Sequence, residues 1–383
     1  MIKRYLLRVV KALSLLLAVA VCAGLLQEYV LCHADHNRVR LKGFYEEDAN
    51  SLDVVYLGAS DVYSDLSPGY AYRRDGVTGY LFASQADSIL NYKSQLKNIL
   101  SRQKNALVVV ELNGALYEDD EEVLKEANFR NYTDHVPLDF TKLEWIAENA
   151  KENRAEYLFP IIKYHGIWNE IEDDQKYRRT VIDVQKRGYN YLKGILNWTV
   201  VFNSPDKSLN SSLQAAAGRK QPLTETQENG LRELLGFCKD EKLTNVVFAR
   251  FPHIVTEKTL DRFERGNTVG DIVAEYGFDY LNFERDFALT GLDEKRDFYN
   301  PDHLNIYGQQ KFTAFLTDYL KEHYALAPHE LTEQQKEEWE HCADYYAAYY
   351  RYSESMIKDL EVVELSEDSE LIEKLEDYLP AKS

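Results

Sequence analysis

The first hydrophobic feature of the chain is a run from Ala12 to Leu26, broken only by Ser14. Tyr29 to Leu31, beyond Gln27 and Glu28, extend it toward the ~20 apolar residues that a bilayer span needs. The pattern then changes to short β-branched runs: DVVYLGAS (53–60), LVVVELN (107–113), NVVFARFP (245–252) and, more weakly, DYLNFE (279–284). Runs that are apolar throughout, rather than alternating, predict parallel strands covered on both faces. Between them the apolar spacing turns helical, over Asp87–Gln103, Thr224–Lys242 and Asn267–Tyr276. Thr224 and Gln227 have the spacing of a capping box, and Gly277 stands where a helix C-cap belongs. Strands alternating with helices predict an α/β domain with a mostly parallel sheet over 53–325. The aromatic-rich piece at about 119–220 lacks strand-like runs and predicts a helical insertion. Residues 33–52 are polar and read as a stalk, and 326–383 as an acidic C-terminal extension. Helical spacing persists there from Thr332 to Leu360, and the expectation is a solvated helix followed by a tail.

Charge sets the compartment. Lys3, Arg4, Arg8 and Lys11 precede the apolar run, an arrangement that keeps the N-terminus cytoplasmic and sends the rest of the chain across the membrane. No small-x-small cleavage site with a polar exit comes after it, so residues 1–32 read as an uncleaved signal anchor first and as a cleaved signal peptide second. The expected location is a single-pass, membrane-anchored protein with its folded domain outside a bacterial cytoplasm. The whole chain has 45 basic and 64 acidic residues, a net charge of −19. Setting aside the four basic residues and Glu28 of the first 32 positions leaves residues 33–383 with 41 and 63, net −22. That field excludes a nucleic-acid partner, which needs a basic face. The four cysteines form no CxxC pair, and no nucleotide-binding loop is present, so neither metal nor cofactor is expected.

In a doubly wound sheet the chemistry gathers at the carboxyl ends of the strands. The first strand ends in Gly58-Ala59-Ser60-Asp61, and the 107–113 strand in Glu111-Leu112-Asn113-Gly114. The last helix is entered through Asn300-Pro301-Asp302-His303. A Ser just past a strand end can expose its hydroxyl beside its own N–H. A His on a late loop can take the hydroxyl proton, and an Asn side chain can donate to an oxyanion. Those three groups suffice for acyl transfer.

The blocks GASD, ELNG and PDHLNIYGQQKFTAFLTDYL, in this order, resemble the SGNH/GDSL hydrolase superfamily, in patches over roughly 43–325. The closest look is to membrane-anchored bacterial members that transfer D-alanine to teichoic acid or O-acetylate polysaccharides. The resemblance implies a flavodoxin-like three-layer sandwich with Ser60 as nucleophile, His303 as general base and Asn113 as oxyanion donor. The family's second-block Gly falls near YLFASQ (80–85), where Ala83 or Ser84 takes its place. Asn300 stands where the family carries the Asp that orients the His, with Asp302 and Asp297 near enough in sequence to be substitutes. In a serine-protease triad that Asp→Asn exchange costs about 10⁴ in turnover. Asp61 is a further departure, since His is common there in the anchored relatives. His165 and Trp168, in YHGIW, are cleft candidates or packing residues of the insertion.

Two functions remain open at this point. One is an O-acyltransferase or esterase acting on a cell-envelope polysaccharide or wall polymer through a Ser–His dyad or triad. The other is a catalytically impaired glycan-binding or scaffold subunit. The resemblance implies a glycan acceptor for the first, and under either a multi-pass membrane O-acyltransferase partner.

Overall fold

The computed structural model describes residues 2–29, 36–164, 166, 192–202 and 206–357. Helix α1, Ile2–Tyr29, contains the 23-residue stretch Arg4–Leu26, long and apolar enough to cross a membrane and with none of its surface buried. Five parallel strands form the central sheet: β1 (Val54–Gly58), β2 (Gly79–Ala83), β3 (Leu107–Glu111), β4 (Val246–Arg250) and β5 (Tyr280–Asn282). Their order, β2-β1-β3-β4-β5, is that of flavodoxin-type doubly wound sheets, and the order reverses between β1 and β3. Four of these strands fall inside the predicted runs. β2 (GYLFA) is not among them, because it is short and carries aromatic and small residues in place of β-branched ones.

Strand geometry turns successive side chains to opposite faces, so continuous apolar runs feed two cores. Val54, Tyr56, Leu81, Val109 and Val247 lie in one core, and Val55, Leu57, Tyr80, Val108 and Phe248 in the other. The first is covered by α3 (Ser60–Asp65), α8 (Ile306–His323) and α9 (Glu333–Met356). The second is covered by α5 (Ile89–Arg102), α6 (Glu225–Asp240) and α7 (Leu260–Glu275). α6 opens with the Thr224–Gln227 capping box, and Gly277 follows α7 at φ +85°. α4 (Pro68–Asp75) follows α3, and the short hairpin β6 (Phe298–Asn300)–β7 (His303–Leu304) leads into α8. Among the described residues, 119–220 contain no strand. Short helices such as Glu126–Thr133, Phe140–Asn149 and Arg154–Leu158 pack through Phe129, Trp145 and Tyr157.

The two flanks differ from the sequence expectation. Residues His36–Phe44 are a helix, α2, that buries Val39, Leu41 and Phe44, so the 33–52 segment is not a free stalk over that length. Arg40 goes inside because an aromatic ring and the Asn37 side-chain oxygen accept it. The Arg40 guanidinium lies 3.7 Å above the Tyr63 ring, and the Arg40 carbonyl accepts a 2.8 Å bond from Tyr80 Oη. Nor is the acidic C-terminal helix merely solvated. α9 starts at the capping box of Thr332 and Gln335 and packs on α4, burying Tyr345, Tyr346 and Tyr349 in the first core and Trp339 and Cys342 in the second. Its apolar stripe is built largely from Tyr, whose hydroxyls find partners inside: Tyr349 Oη accepts from Asn197 N at 3.3 Å, and Tyr346 Oη from Gln310 Nε2 at 3.1 Å.

Tyr349→Ala is therefore expected to destabilise the fold by about 3–5 kcal/mol, the cost of emptying a buried aromatic site. A solvated helix would lose within about 0.5 kcal/mol. Urea unfolding followed by tyrosine and tryptophan fluorescence separates the two outcomes.

Candidate active site

Ser60 is the first residue of α3, directly beyond β1, with Ala59 extended at the N-cap. No side chain caps this helix, so the first N–H groups, that of Ser60 among them, point out unpaired by the helix. The turn fits because residue 58 is Gly. A Cβ there would come within 2.8 Å of Val62 Cγ2 and 3.0 Å of Glu111 Cβ. His303 reaches the same spot from the β6–β7 hairpin, and its Nε2 lies 2.8 Å from Ser60 Oγ. Two bonds tie the hairpin to the Ser60 helix and the insertion. Leu304 N donates to Asp65 Oδ1 at 2.8 Å, and Asn305 Nδ2 to Val200 O at 3.1 Å. Gly308 lets α8 start tight against the hairpin, since a Cβ there would sit 2.1 Å from the Asp297 carbonyl.

Asn300 fixes the imidazole. Its Oδ1 accepts the Asp302 backbone N–H at 2.8 Å, an Asx-type turn that identifies the oxygen end of the amide. The same oxygen lies 3.0 Å from His303 Nδ1, so that nitrogen carries the proton and donates. Nε2 is then the lone-pair nitrogen, facing the Ser60 hydroxyl. That is the tautomer a general base requires, and it is reached without a carboxylate. Asp302 does not orient the ring: its carboxylate pairs with Arg262. Asp297 is also committed elsewhere, to Lys311. Burial holds His303 below its ordinary pKa, against the opposing pull of the Asp61 and Asp302 charges. The ring is therefore neutral at neutral pH.

Beneath Ser60 and Asn113 lies a set of buried charges. Asn113, just past β3, accepts a 2.8 Å bond at Oδ1 from Arg250 Nη1, at the end of β4. The same guanidinium lies 3.2 Å from Glu111 and 3.2 Å from Glu284. His253 bridges 3.1 Å to Asp61 and 3.2 Å to Glu284. All five ionisable side chains are at most 1% exposed. Desolvation would neutralise them singly, and the pairing prevents it for four. Asp61 stays far below the usual carboxylate range because its bond to His253 and the nearby cations outweigh burial. Glu284 is held at about 2 against burial by Arg250 and His253. His253 is raised to about 9, because Asp61 and Glu284 outweigh burial and the Arg250 charge. Burial and the Asp61 charge push Glu111 up to about 7. Burial and the nearby Asp61 charge raise Asp65 well above its ordinary value. The negative charge of Asp61 beside Ser60 is thus answered by a protonated His253.

The structure brings Ser60, His303 and Asn300 into one hydrogen-bonded chain, with Asp61 behind it and Asn113 on the neighbouring strand end. Ala83 is the last residue of β2, fully buried and paired with Gly58, and Ser84 N continues the ladder to Gly58 O at 3.4 Å. His165 and Trp168 lie outside the described residues. Sequence reasoning did not single out Arg250 or His253, which NVVFARFPH carries at the end of a predicted strand, nor Glu284 after the weak fourth one. A basic residue closing an apolar strand was the available signal. Trp198 was also missed: its ring stacks on Tyr299 at 4.2 Å and lies 6.3 Å from the His303 ring, and its Nε1 donates to Ser64 Oγ at 2.8 Å. Among the described residues no group of His, Cys, Asp or Glu is arranged to hold a metal ion. The chain matches no protein-family model, and no curated protein matches it significantly.

The buried charges make stability depend on pH in a defined direction. His253 titrates higher in the folded state than unfolded, so its contribution is complete below about pH 6.5 and lost as pH rises through about 9. Glu111, also raised, acts in the same direction through about pH 7. The contributions of Asp61 and Glu284 hold above the ordinary carboxylate range and are lost as pH falls below it. The thermal midpoint is expected to be highest near pH 5–6 and to fall toward pH 9. Differential scanning calorimetry across that range checks it, and His253→Gln should flatten the alkaline fall.

Proposed function

We propose that this chain is a membrane-anchored, serine-dependent O-acyltransferase or esterase of the SGNH type, acting on a hydroxylated polymer of the cell envelope. The observation that carries the proposal is the chain Ser60 Oγ–His303 Nε2, His303 Nδ1–Asn300 Oδ1, with the tautomer set by the Asp302 N–H. Ser60 attacks the acyl carbonyl as its proton passes to His303 Nε2. The tetrahedral oxyanion meets the Ser60 N–H and Asn113 Nδ2, the amide end left to donate once Oδ1 is tied to Arg250. Collapse expels the donor's alcohol, which takes the proton back from His303. An incoming sugar hydroxyl or water then gives its proton to the same nitrogen and takes the acyl group, and His303 returns that proton to the departing Ser60 Oγ.

Asn300 orients the imidazole but adds no charge to stabilise the imidazolium. The Asp61 and Asp302 carboxylates supply part of that field, and both act to raise the His303 pKa. The aromatic stack of Trp198 and Tyr299 beside His303 supports a ring-shaped acceptor, since sugar C–H faces pack on such surfaces while water is excluded. The apolar α1 and its basic start support an anchor with the domain outside.

A fluorophosphonate is expected to add once to the wild-type protein and not to Ser60→Ala, as read by intact-mass spectrometry. A wild type that stays unmodified under forcing conditions would favour the binding or scaffold reading. Asn300→Asp tests the orienter separately. It should raise the apparent pKa of His303, move the acidic limb of the pH–rate profile upward, and speed ester hydrolysis by about tenfold, or 1.4 kcal/mol. The gain falls far short of 10⁴ because Asn300 already imposes the productive tautomer.

A further inference from the structure

We infer that Arg250 is the positioning residue of the oxyanion site, fixing Asn113 so that its Nδ2 donor faces the nucleophile. The inference rests on the serine-dependent reading above and goes beyond it, since Arg250 is fully buried and acts through Asn113. An Asn amide has two ends of nearly equal shape. On a strand end in water, both orientations are populated, and only one presents a donor. Here Arg250 Nη1 donates to Asn113 Oδ1 at 2.8 Å. Turning the amide over would set its N–H₂ against a fully buried guanidinium, two donors face to face.

The backbone of Asn113 is held by the same device. Glu111 Oε2 accepts the Asn113 N–H at 2.9 Å, while Glu111 Oε1 lies 3.2 Å from Arg250 Nη1. Arg250 Nη2 is braced in turn by Glu284 Oε1 at 3.2 Å. Both ends of the guanidinium fork are therefore spoken for, one by Glu284 and the other by Glu111 and Asn113. A lysine ammonium, a point charge on a flexible stem, cannot span all three acceptors at once. A buried ion cluster is no cheaper for stability than a well-packed apolar core of the same size. Its placement directly under the oxyanion donor gives it a use that packing alone does not.

The test is a double-mutant cycle on the full chain in detergent, comparing wild type, Asn113→Ala, Arg250→Lys and the double variant. Ser60 phosphonylation and kcat and KM for an aryl acetate are the readouts. Asn113→Ala should lower kcat by about 10²–10³, the effect of losing one oxyanion donor. Arg250→Lys should lower kcat by tenfold or more with KM within twofold, and should add nothing in the Asn113→Ala background. A full multiplicative loss in that background, or an unchanged kcat for Arg250→Lys, overturns the inference and leaves the serine reading standing. Wild type that is never phosphonylated at Ser60 removes both. Asn113→Asp guards against a folding defect in Arg250→Lys, because a carboxylate keeps a partner for the guanidinium but offers no donor. It should match or exceed the wild-type thermal midpoint while its kcat falls to the Asn113→Ala level. A clear drop in its midpoint overturns the pairing on which the inference stands.

Discussion

Charge balance under the carboxyl end of the sheet constrains everything built above it. Arg250 and a protonated His253 face Asp61 and Glu284 with almost no access to water, and Glu111 sits at the edge of ionisation beside them. Removing one partner from such a set leaves an uncompensated buried charge, which typically costs about 3–5 kcal/mol. The members come from the ends of four different strands, so the network also sets the relative heights of those ends. Ser60 and Asn113 sit on two of them. Their alignment follows from the ions below.

His303 is organised by a different economy. The hairpin that carries it is short, and its turn is closed by Asn300 Oδ1 accepting the Asp302 N–H. That one oxygen also receives His303 Nδ1–H, so the turn and the imidazole tautomer are settled by the same atom. A carboxylate could do both and add charge. The amide does both with no further negative charge in a region where the Asp61 and Asp302 carboxylates already act on His303. The hairpin is then fastened from three sides, to α3 through Asp65, to the insertion through Asn305, and to α8 through the tight Gly308 approach.

Tyrosine accounts for much of how the two flanks are buried. α2 enters with Arg40 on the Tyr63 ring, and α9 lays a stripe of Tyr345, Tyr346 and Tyr349 on the other side. The Tyr346 and Tyr349 rings bury apolar area while their hydroxyls keep partners, so an acidic, polar-looking helix can still contribute a core face. The 28 tyrosines of the chain are therefore partly a structural inventory, not only a surface composition.

Much of this was legible along the chain, because its signals are local. β-branched runs mark four of the five strands, the Thr224–Gln227 spacing marks the start of α6, and the basic flank and apolar run mark α1. Ser60, Asn113 and His303 stand out because each follows an element end, where polar side chains are exposed by the geometry of a parallel sheet. The rest depends on distance in space. The sequence spacing left Asn300, Asp302 and Asp297 as rivals, and the separation became clear only when Arg262 and Lys311 were seen to hold the two aspartates. Arg250 and His253 read as ordinary residues after a strand, since nothing local reveals that Glu111 and Glu284 meet them from 139 and 34 residues away. The stalk and the solvated helix were misread for the same reason. Hydropathy counts a tyrosine or an arginine as polar, and only a ring or a carbonyl brought up by the folded chain decides whether that side chain goes inside.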